Sequence, residues 1–191
     1  TIFFNYARPA SFPEVNWDET LGFVGFSADD TFTGYDGYRN ITIQNGTIKG
    51  GCSCFIHNAN VNLIGLNFVD IQSRHALQFA GCKDVRIENC TFNGTLHQSG
   101  VEASAECVNL DPCSYAGQPW MSSSSVMYDL TPIKNFILTN NVFKQSTTEG
   151  QLYGCAFGSH SIDDDQTLIC DNLEITNNSF GTPFARAIGI G

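Results

Sequence analysis

The sequence is short of basic residues, of proline and of long apolar runs. Lys and Arg total 9 against 19 Asp and Glu, so the formal net charge is −10. Contacts to nucleic-acid phosphates require basic side chains, and this balance argues against a nucleic-acid partner. No run of about 18 apolar residues is present, so we expect no membrane-spanning helix. With 6 Pro and no long polar tract, the composition is not that of a disordered protein.

Paired C-x-x-C motifs, the common mark of a zinc site, are missing as well. The chain has eight cysteines, at positions 52, 54, 82, 90, 107, 113, 155 and 170, with a single C-x-C. We therefore expect no metal ligands among them and favour reduced thiols that pack as small hydrophobic residues. Disulfides remain an alternative because the count is even, as it is in many secreted proteins.

What the sequence does contain is a nine-residue motif that occurs five times. The copies are NITIQNGTI (40–48), NVNLIGLNF (60–68), DVRIENCTF (84–92), NFILTNNVF (135–143) and NLEITNNSF (172–180). Alternation of apolar and polar residues predicts a half-buried strand whose motif positions two and four point inward. Asn or Gly at position six tolerates a left-handed backbone, which predicts a bend there. Position nine is Ile or Phe, which we expect to turn back into the core.

The copies start 20, 24, 51 and 37 residues apart. Such spacing without a helical pattern predicts a parallel β-solenoid, in which stacked coils share one core. A leucine-rich repeat is the rival, but its leucine spacing and helical half are absent. We expect an irregular first coil within residues 1–39, coils over 40–191, and insertions at 93–105, 111–132 and 144–153. The first residues have no Met and no signal-peptide pattern, so we expect a fragment of a longer chain.

Each coil also has a closing strand, and four of these strands can be aligned. They are HALQFAG (75–81), ECVNLDP (106–112), GCAFGSH (154–160) and RAIGIG (186–191). The alignment predicts inward columns that begin with Leu77 and Phe79. Between them we expect an outward column of Gln78, Asn109, Phe157 and Gly189.

These elements together resemble the right-handed parallel β-helix proteins of the pectate-lyase-like superfamily. The likeness covers roughly residues 36–191 and is closest to bacteriophage tailspike and tail-fibre proteins and to surface proteins of Gram-positive bacteria. It implies a glycan-binding protein of the virion or the extracellular space, often a trimer, that in many cases cleaves a polysaccharide by hydrolysis or β-elimination. The sequence lacks the Arg-rich cleft strand of pectate lyases, which argues against that particular elimination chemistry.

The candidate catalytic residues follow two closing strands. Asp111 and Ser159 share a position in the alignment, which makes His160 a neighbour of Asp111, since coils stack about 4.8 Å apart. Glu106 lies too far along the same strand for a glycosidase pair, which needs carboxylates about 5 to 10 Å apart. If the protein is a hydrolase, we expect Asp111 as one carboxylate, His160 as its partner, and Glu106 or Asp163 as the second carboxylate. A structural Asp–His pair is the equally weighted alternative.

The segment that follows His160 contains three consecutive aspartates, at positions 163, 164 and 165. They could hold Ca²⁺, although such a run is more often a solvated loop. We otherwise expect no cofactor.

The remaining candidates are expected to bind the substrate. Gln78 and Asn109 lie in the outward column, and His75 lines up with Glu106 and Arg186 at the mouth of the closing strands. The 111–132 insertion concentrates aromatic residues, which could stack on sugar rings or could dock the loop onto the solenoid. The candidates in this insertion are Tyr115, Trp120 and Tyr128.

Two functions follow from these expectations. The first is an extracellular or phage-tail protein that binds and cleaves a cell-surface polysaccharide. The alternative is a non-catalytic adhesive or structural module that binds glycans.

Overall fold

A computed structural model of the chain is a parallel β-helix, as the repeated motif predicts. The structure describes residues 3–5, 19–23, 32–71, 73, 75–95, 106–114, 117–118, 128–144, 155–159, 168–181 and 186–190. Within these ranges the regular structure is entirely strand, and no helix long and apolar enough to cross a bilayer is found. The hand of the coil stays a prediction.

The strands follow one another coil by coil. A partial coil contributes β1 (Phe3–Asn5) and β2 (Glu19–Phe23). The next two coils contribute β3 (Arg39–Gln44), β4 (Thr47–Lys49), β5 (Cys52–Ile56), β6 (Ala59–Ile64), β7 (Asn67–Ile71) and β8 (Leu77–Ala80). The last three contribute β9 (Lys83–Glu88), β10 (Thr91–Thr95), β11 (Glu106–Asp111), β12 (Ile133–Thr139), β13 (Val142–Lys144), β14 (Cys155–Gly158), β15 (Cys170–Thr176), β16 (Ser179–Phe180) and β17 (Arg186–Gly189).

Each coil places one strand in each of three parallel sheets. Sheet A has the order β1-β4-β7-β10-β13-β16, sheet B has the order β2-β5-β8-β11-β14-β17, and sheet C has the order β3-β6-β9-β12-β15. The first strand of every motif lies in sheet C, and the closing strands lie in sheet B. The chain passes from sheet C to sheet A through two residues in all five coils, whereas the other two corners vary in length.

The register confirms the columns that the motif predicts. Motif position two stacks as Ile41, Val61, Val85, Phe136 and Leu173, and position four as Ile43, Leu63, Ile87, Leu138 and Ile175. Position nine stacks as Ile48, Phe68, Phe92, Phe143 and Phe180. The phenylalanine rings of this last column are nearly parallel, with centroids between 4.6 and 5.2 Å apart. The core therefore consists of ladders of like side chains.

The bends also follow the prediction. Position six has a positive φ in every motif, between 55° and 60°, at Asn45, Gly65, Asn89, Asn140 and Asn177. Position one is left-handed too, although the sequence did not suggest it. In the last two motifs the residue after the bend is an inward asparagine, and Asn141 accepts a bond from the Cys90 amide and donates to the Ile87 carbonyl. These side-chain amides hold one coil to the next.

One strand of sheet B is shifted by a residue from the alignment made on sequence. Phe157 pairs with Val108 and Ile188 and points inward, while Gly158 takes the outward place beside Asn109. The strand CAFG has apolar residues at successive positions, so its pattern cannot fix which of them faces the core. A Cβ on Gly158 would collide with the carbonyl oxygen of Gly189, which explains the glycine in the outward column.

The eight cysteines are present as thiols and not as disulfides. Seven of them are buried, and Cys170 is partly exposed.

Candidate functional site

The outer face of sheet B, which carries the predicted binding residues Gln78 and Asn109, is covered rather than open to solvent. Its outward column is Cys54, Gln78, Asn109, Gly158 and Gly189. Gln78 is 1% exposed and Asn109 is 0% exposed. Residues of the 111–132 insertion pack over this face and remove its polar side chains from solvent.

The cover is held by specific contacts with the sheet. The Gln78 side-chain amide donates to the carbonyl oxygen of Gly117 at 3.1 Å. Gly117 lies so close to Asp111 that a Cβ on the glycine would be 3.0 Å from the Asp111 Cβ. Around it, Ser114 and Gln118 close a turn through hydrogen bonds in both directions. The insertion is therefore packed against sheet B at residues 113, 114, 117 and 118.

Asp111 is fully buried within a polar network. Asn109 Nδ2 donates to one carboxylate oxygen at 2.7 Å, and Ser159 Oγ donates to the other at 3.5 Å. The predicted alignment of Asp111 with Ser159 is off by one residue because of the shift of β14, although the two side chains are close enough to bond. His160 and Asp163 lie outside the described residues. The network can hold a charge in place, and a role in catalysis stays a prediction.

His75 and Glu106 form a second buried polar pair. Their predicted alignment agrees with the register, since Val108 pairs with Leu77 and Glu106 pairs with Cys155. The His75 ring nitrogen Nδ1 lies 2.6 Å from the Glu106 carbonyl oxygen and 3.9 Å from a Glu106 carboxylate oxygen. Both side chains are about 97% buried, at 3% exposure each. Their position supports a structural pair between coils more than a contact for ligand.

The aromatic candidates divide between described and undescribed residues. Tyr115 and Trp120 lie outside the described ranges. The Tyr128 hydroxyl donates to the Gln118 carbonyl oxygen at 2.8 Å, and its ring packs on an outer apolar cluster. That cluster consists of Cys52, Cys54, Ile56, Ala80 and Cys113. Tyr128 thus docks the insertion onto the solenoid, which is the second of the two interpretations given above.

The buried thiols are unsuited to nucleophilic chemistry. Burial raises the pKa of Cys82 to about 12 and that of Cys90 to about 11. Burial also raises the pKa of Cys113 above the ordinary thiol range. Because the nucleophile is the thiolate, these groups are poor nucleophiles at neutral pH.

A third cluster consists of three potential metal ligands that lie far apart along the chain. His57 occupies the corner after β5, Cys113 follows β11, and Asp129 lies near the end of the insertion. One nitrogen, one sulfur and one oxygen atom from these side chains all lie within 4.8 Å of one another. No spacing signal could have found the group, since only the stacking of coils brings the three segments together.

Comparisons with known proteins agree with the fold. No protein-family model matches the chain. The chain is 28% identical over 149 residues to the plasmin and fibronectin-binding protein A of Streptococcus pneumoniae, an alignment that covers 74% of this chain and 19% of that protein. The crystal structure of PfbA, a surface adhesin of the same species, matches with a TM-score of 0.59 at 19% identity and covers 84% of this chain and 38% of that one. The chain thus spans about a fifth of the length of its curated relative.

Proposed function

We propose that the chain is the β-helix of an extracellular surface protein and acts as a rigid adhesive module. The observation that carries the proposal is the similarity to a pneumococcal surface adhesin, found independently in sequence and in fold. This module would bind a ligand without cleaving it, which is the alternative that the sequence analysis left open. Tailspike identity, trimerisation and a place in a virion stay predictions of the resemblance.

The burial of Asp111 on sheet B supports binding without cleavage. A hydrolase of the predicted kind needs a carboxylate that substrate can reach, with a second one about 5 to 10 Å away. Asp111 is 0% exposed and bonded to Asn109 and Ser159. The carboxylate is thus bonded to residues of sheet B and its end and lies out of reach of a substrate, so we expect binding on the open faces.

The outward rows of sheets A and C are those open faces. They carry charges of both signs among polar and apolar side chains, such as Lys49 beside Asp70 at 2.9 Å on sheet A and Arg86 beside Glu88 at 3.2 Å on sheet C. Parallel strands keep these side chains at fixed intervals, which suits recognition of an extended ligand. The pneumococcal relative is named for plasmin and fibronectin, so we propose a host protein of this kind as the first ligand class and a surface polysaccharide as the second.

A binding assay on immobilised fibronectin, plasmin and a panel of bacterial polysaccharides tests the proposal. Charge reversal at Arg86 on sheet C and at Lys49 on sheet A maps the face. We expect one of these variants to lose binding, while the buried Asp111→Asn variant retains it.

The same polysaccharides should be searched for released oligosaccharides by mass spectrometry. If the protein is only an adhesin, we expect no released oligosaccharides. Release that falls about 10²- to 10⁴-fold in Asp111→Asn would overturn the adhesive proposal in favour of a glycosidase with Asp111 as general acid or base.

A further inference from the structure

We propose that His57, Cys113 and Asp129 form a structural Zn²⁺ site that fastens the cover of sheet B to the coil. Their candidate ligand atoms lie within 4.8 Å of one another, and His57 Nε2 is 3.9 Å from Asp129 Oδ1. Ligand atoms around a tetrahedral zinc ion are roughly 3.3 to 3.8 Å apart, as follows from bonds of about 2.0 to 2.3 Å. A small contraction of the three side chains would bring their ligand atoms to this spacing.

Contacts behind the ligands orient them toward a common point. His57 Nδ1 lies 2.7 Å from the Gly34 carbonyl oxygen, which can only accept, so Nδ1 carries the proton and Nε2 presents a lone pair. The Gly34 amide donates to Asp129 Oδ2 at 2.7 Å, and the Thr131 amide donates to Oδ1 at 3.0 Å. Such outer bonds to imidazole and carboxylate are typical of metal sites, where they fix ligand orientation.

The third ligand is positioned by its backbone. Cys113 donates its amide to the Thr131 carbonyl and accepts at its own carbonyl from the Leu130 amide. This pair of bonds joins the two ends of the insertion, and it places the Cys113 side chain beside Asp129. Gly81, at φ 57°, makes room for the arrangement, because a Cβ there would be 3.1 Å from His57 Nδ1 and 3.3 Å from the Cys113 Cβ.

The donor set selects the metal. One sulfur, one imidazole nitrogen and one carboxylate oxygen suit Zn²⁺, whereas Ca²⁺ and Mg²⁺ take oxygen ligands. Cys113 and His57 are buried, and Asp129 is the exposed member, so a water molecule on that side would be the fourth ligand. Binding displaces the Cys113 proton to solvent, since the thiolate is the ligand form.

A thiol–imidazole catalytic pair is the rival interpretation of the same residues. It requires a substrate to reach the sulfur, yet Cys113 is 0% exposed and His57 is 0% exposed. A buried ion needs no such access. The site would instead cross-link the segment around Gly34, the corner at His57 and both ends of the insertion, which are otherwise distant in sequence.

Metal content and spectroscopy test the site in the full chain. The protein is stripped with a chelator under reducing conditions, dialysed against Zn²⁺ and analysed by mass spectrometry for bound metal. We expect one tightly held ion per chain and a higher melting temperature with Zn²⁺ than without it. Co²⁺ in place of Zn²⁺ should give a thiolate-to-metal charge-transfer absorption.

Variants decide whether these three residues hold the ion. Cys113→Ser should abolish the Co²⁺ absorption, and Asp129→Asn should weaken Zn²⁺ at least about tenfold, the loss already seen when only an outer contact is removed. Asp129 is exposed, so its variant tests the site even if Cys113→Ser does not fold. Cys54→Ser and Asp171→Asn are matched thiol and carboxylate controls and should bind as the unmutated chain does. Failure to retain Zn²⁺, equal retention by Asp129→Asn, or loss in Cys54→Ser would each overturn the proposal.

Discussion

Sheets B and C are built from the same coils, yet their outer faces differ. On sheet C the outward side chains apart from Thr139 are half-buried or exposed, and some form surface ion pairs, such as Lys134 with Asp171 at 3.5 Å. On sheet B the outward residues Gln78 and Asn109 are buried beneath the insertion. Alternation of polar and apolar residues therefore identifies the inner face of a strand, but it does not establish that the outer face is exposed to solvent.

The largest expected effect concerns the stacked phenylalanine rings of the core, to which the sheets all contribute. Phe143→Ala in sheet A and Phe79→Ala in sheet B should each cost about 3 to 5 kcal/mol of unfolding free energy, because each removes a stacked ring from the core. Denaturant unfolding measures both. Lys144→Ala is the exposed control and should stay within about 0.5 kcal/mol. A loss below about 1 kcal/mol at either phenylalanine would mean that its ladder is not a closed core.

The next effect separates the covered face from the open one. Asp111→Ala should cost about 2 to 3 kcal/mol, since it leaves the buried Asn109 amide without its charged acceptor. Asp171→Ala on sheet C should cost less than about 0.5 kcal/mol, because its partner Lys134 is solvated. Equal costs in thermal unfolding would show that the cover does not desolvate Asp111.

Two glycines test the tightness of the cover directly. Gly117→Ala should destabilise by about 1 to 3 kcal/mol, because the new methyl group would press on the Asp111 side chain. Gly46→Ala, at the bend between sheets C and A, meets nothing closer than 3.7 Å and should be neutral within about 0.5 kcal/mol. A neutral Gly117→Ala would contradict the close packing of the insertion on sheet B.

The last prediction concerns alkaline pH, because its effect appears only above pH 9. The folded protein keeps a proton on Cys82 up to a pKa of about 12, whereas the unfolded chain releases it near the ordinary value of 9.0. Stability due to this thiol is therefore fully present below pH 9 and is lost as pH rises from there toward 12, by about 1.4 kcal/mol per pH unit. Cys82→Ala should flatten that slope when unfolding is measured under reducing conditions. Val61→Ala should leave the slope unchanged, and an unchanged slope in Cys82→Ala would refute the burial argument.

Much of the fold could be predicted from the sequence because the repeated motif encodes it locally. Positions two, four and nine stack as expected, and the left-handed residue at position six falls at the bend in all five motifs. The register of β14 could not be predicted, since Ala156 and Phe157 are both apolar and the strand is short. There the choice depends on whether Phe157 fits beside Phe136 in the core.

The candidate site was less predictable for a different reason. The proximity of Gln78, Asn109 and Asp111 could be predicted, because the stacking of the coils follows from the repeated motif. Their burial depends on where an insertion without periodicity returns to the solenoid. The same is true of the group that links His57 to Asp129, which no pattern in the chain relates.

The two-residue corner between sheets C and A has a consequence for protein engineering. Its first residue is left-handed in every coil, and its second is packed or bonded to neighbouring coils, so this edge cannot take extra chain. The other two corners already include the segments 96–105, 112–132, 145–154 and 159–169. We expect foreign peptides grafted at those two corners to flank sheet B, at intervals set by the strand spacing. The fold is thus a display scaffold in which one corner is invariant and the other two accept insertions.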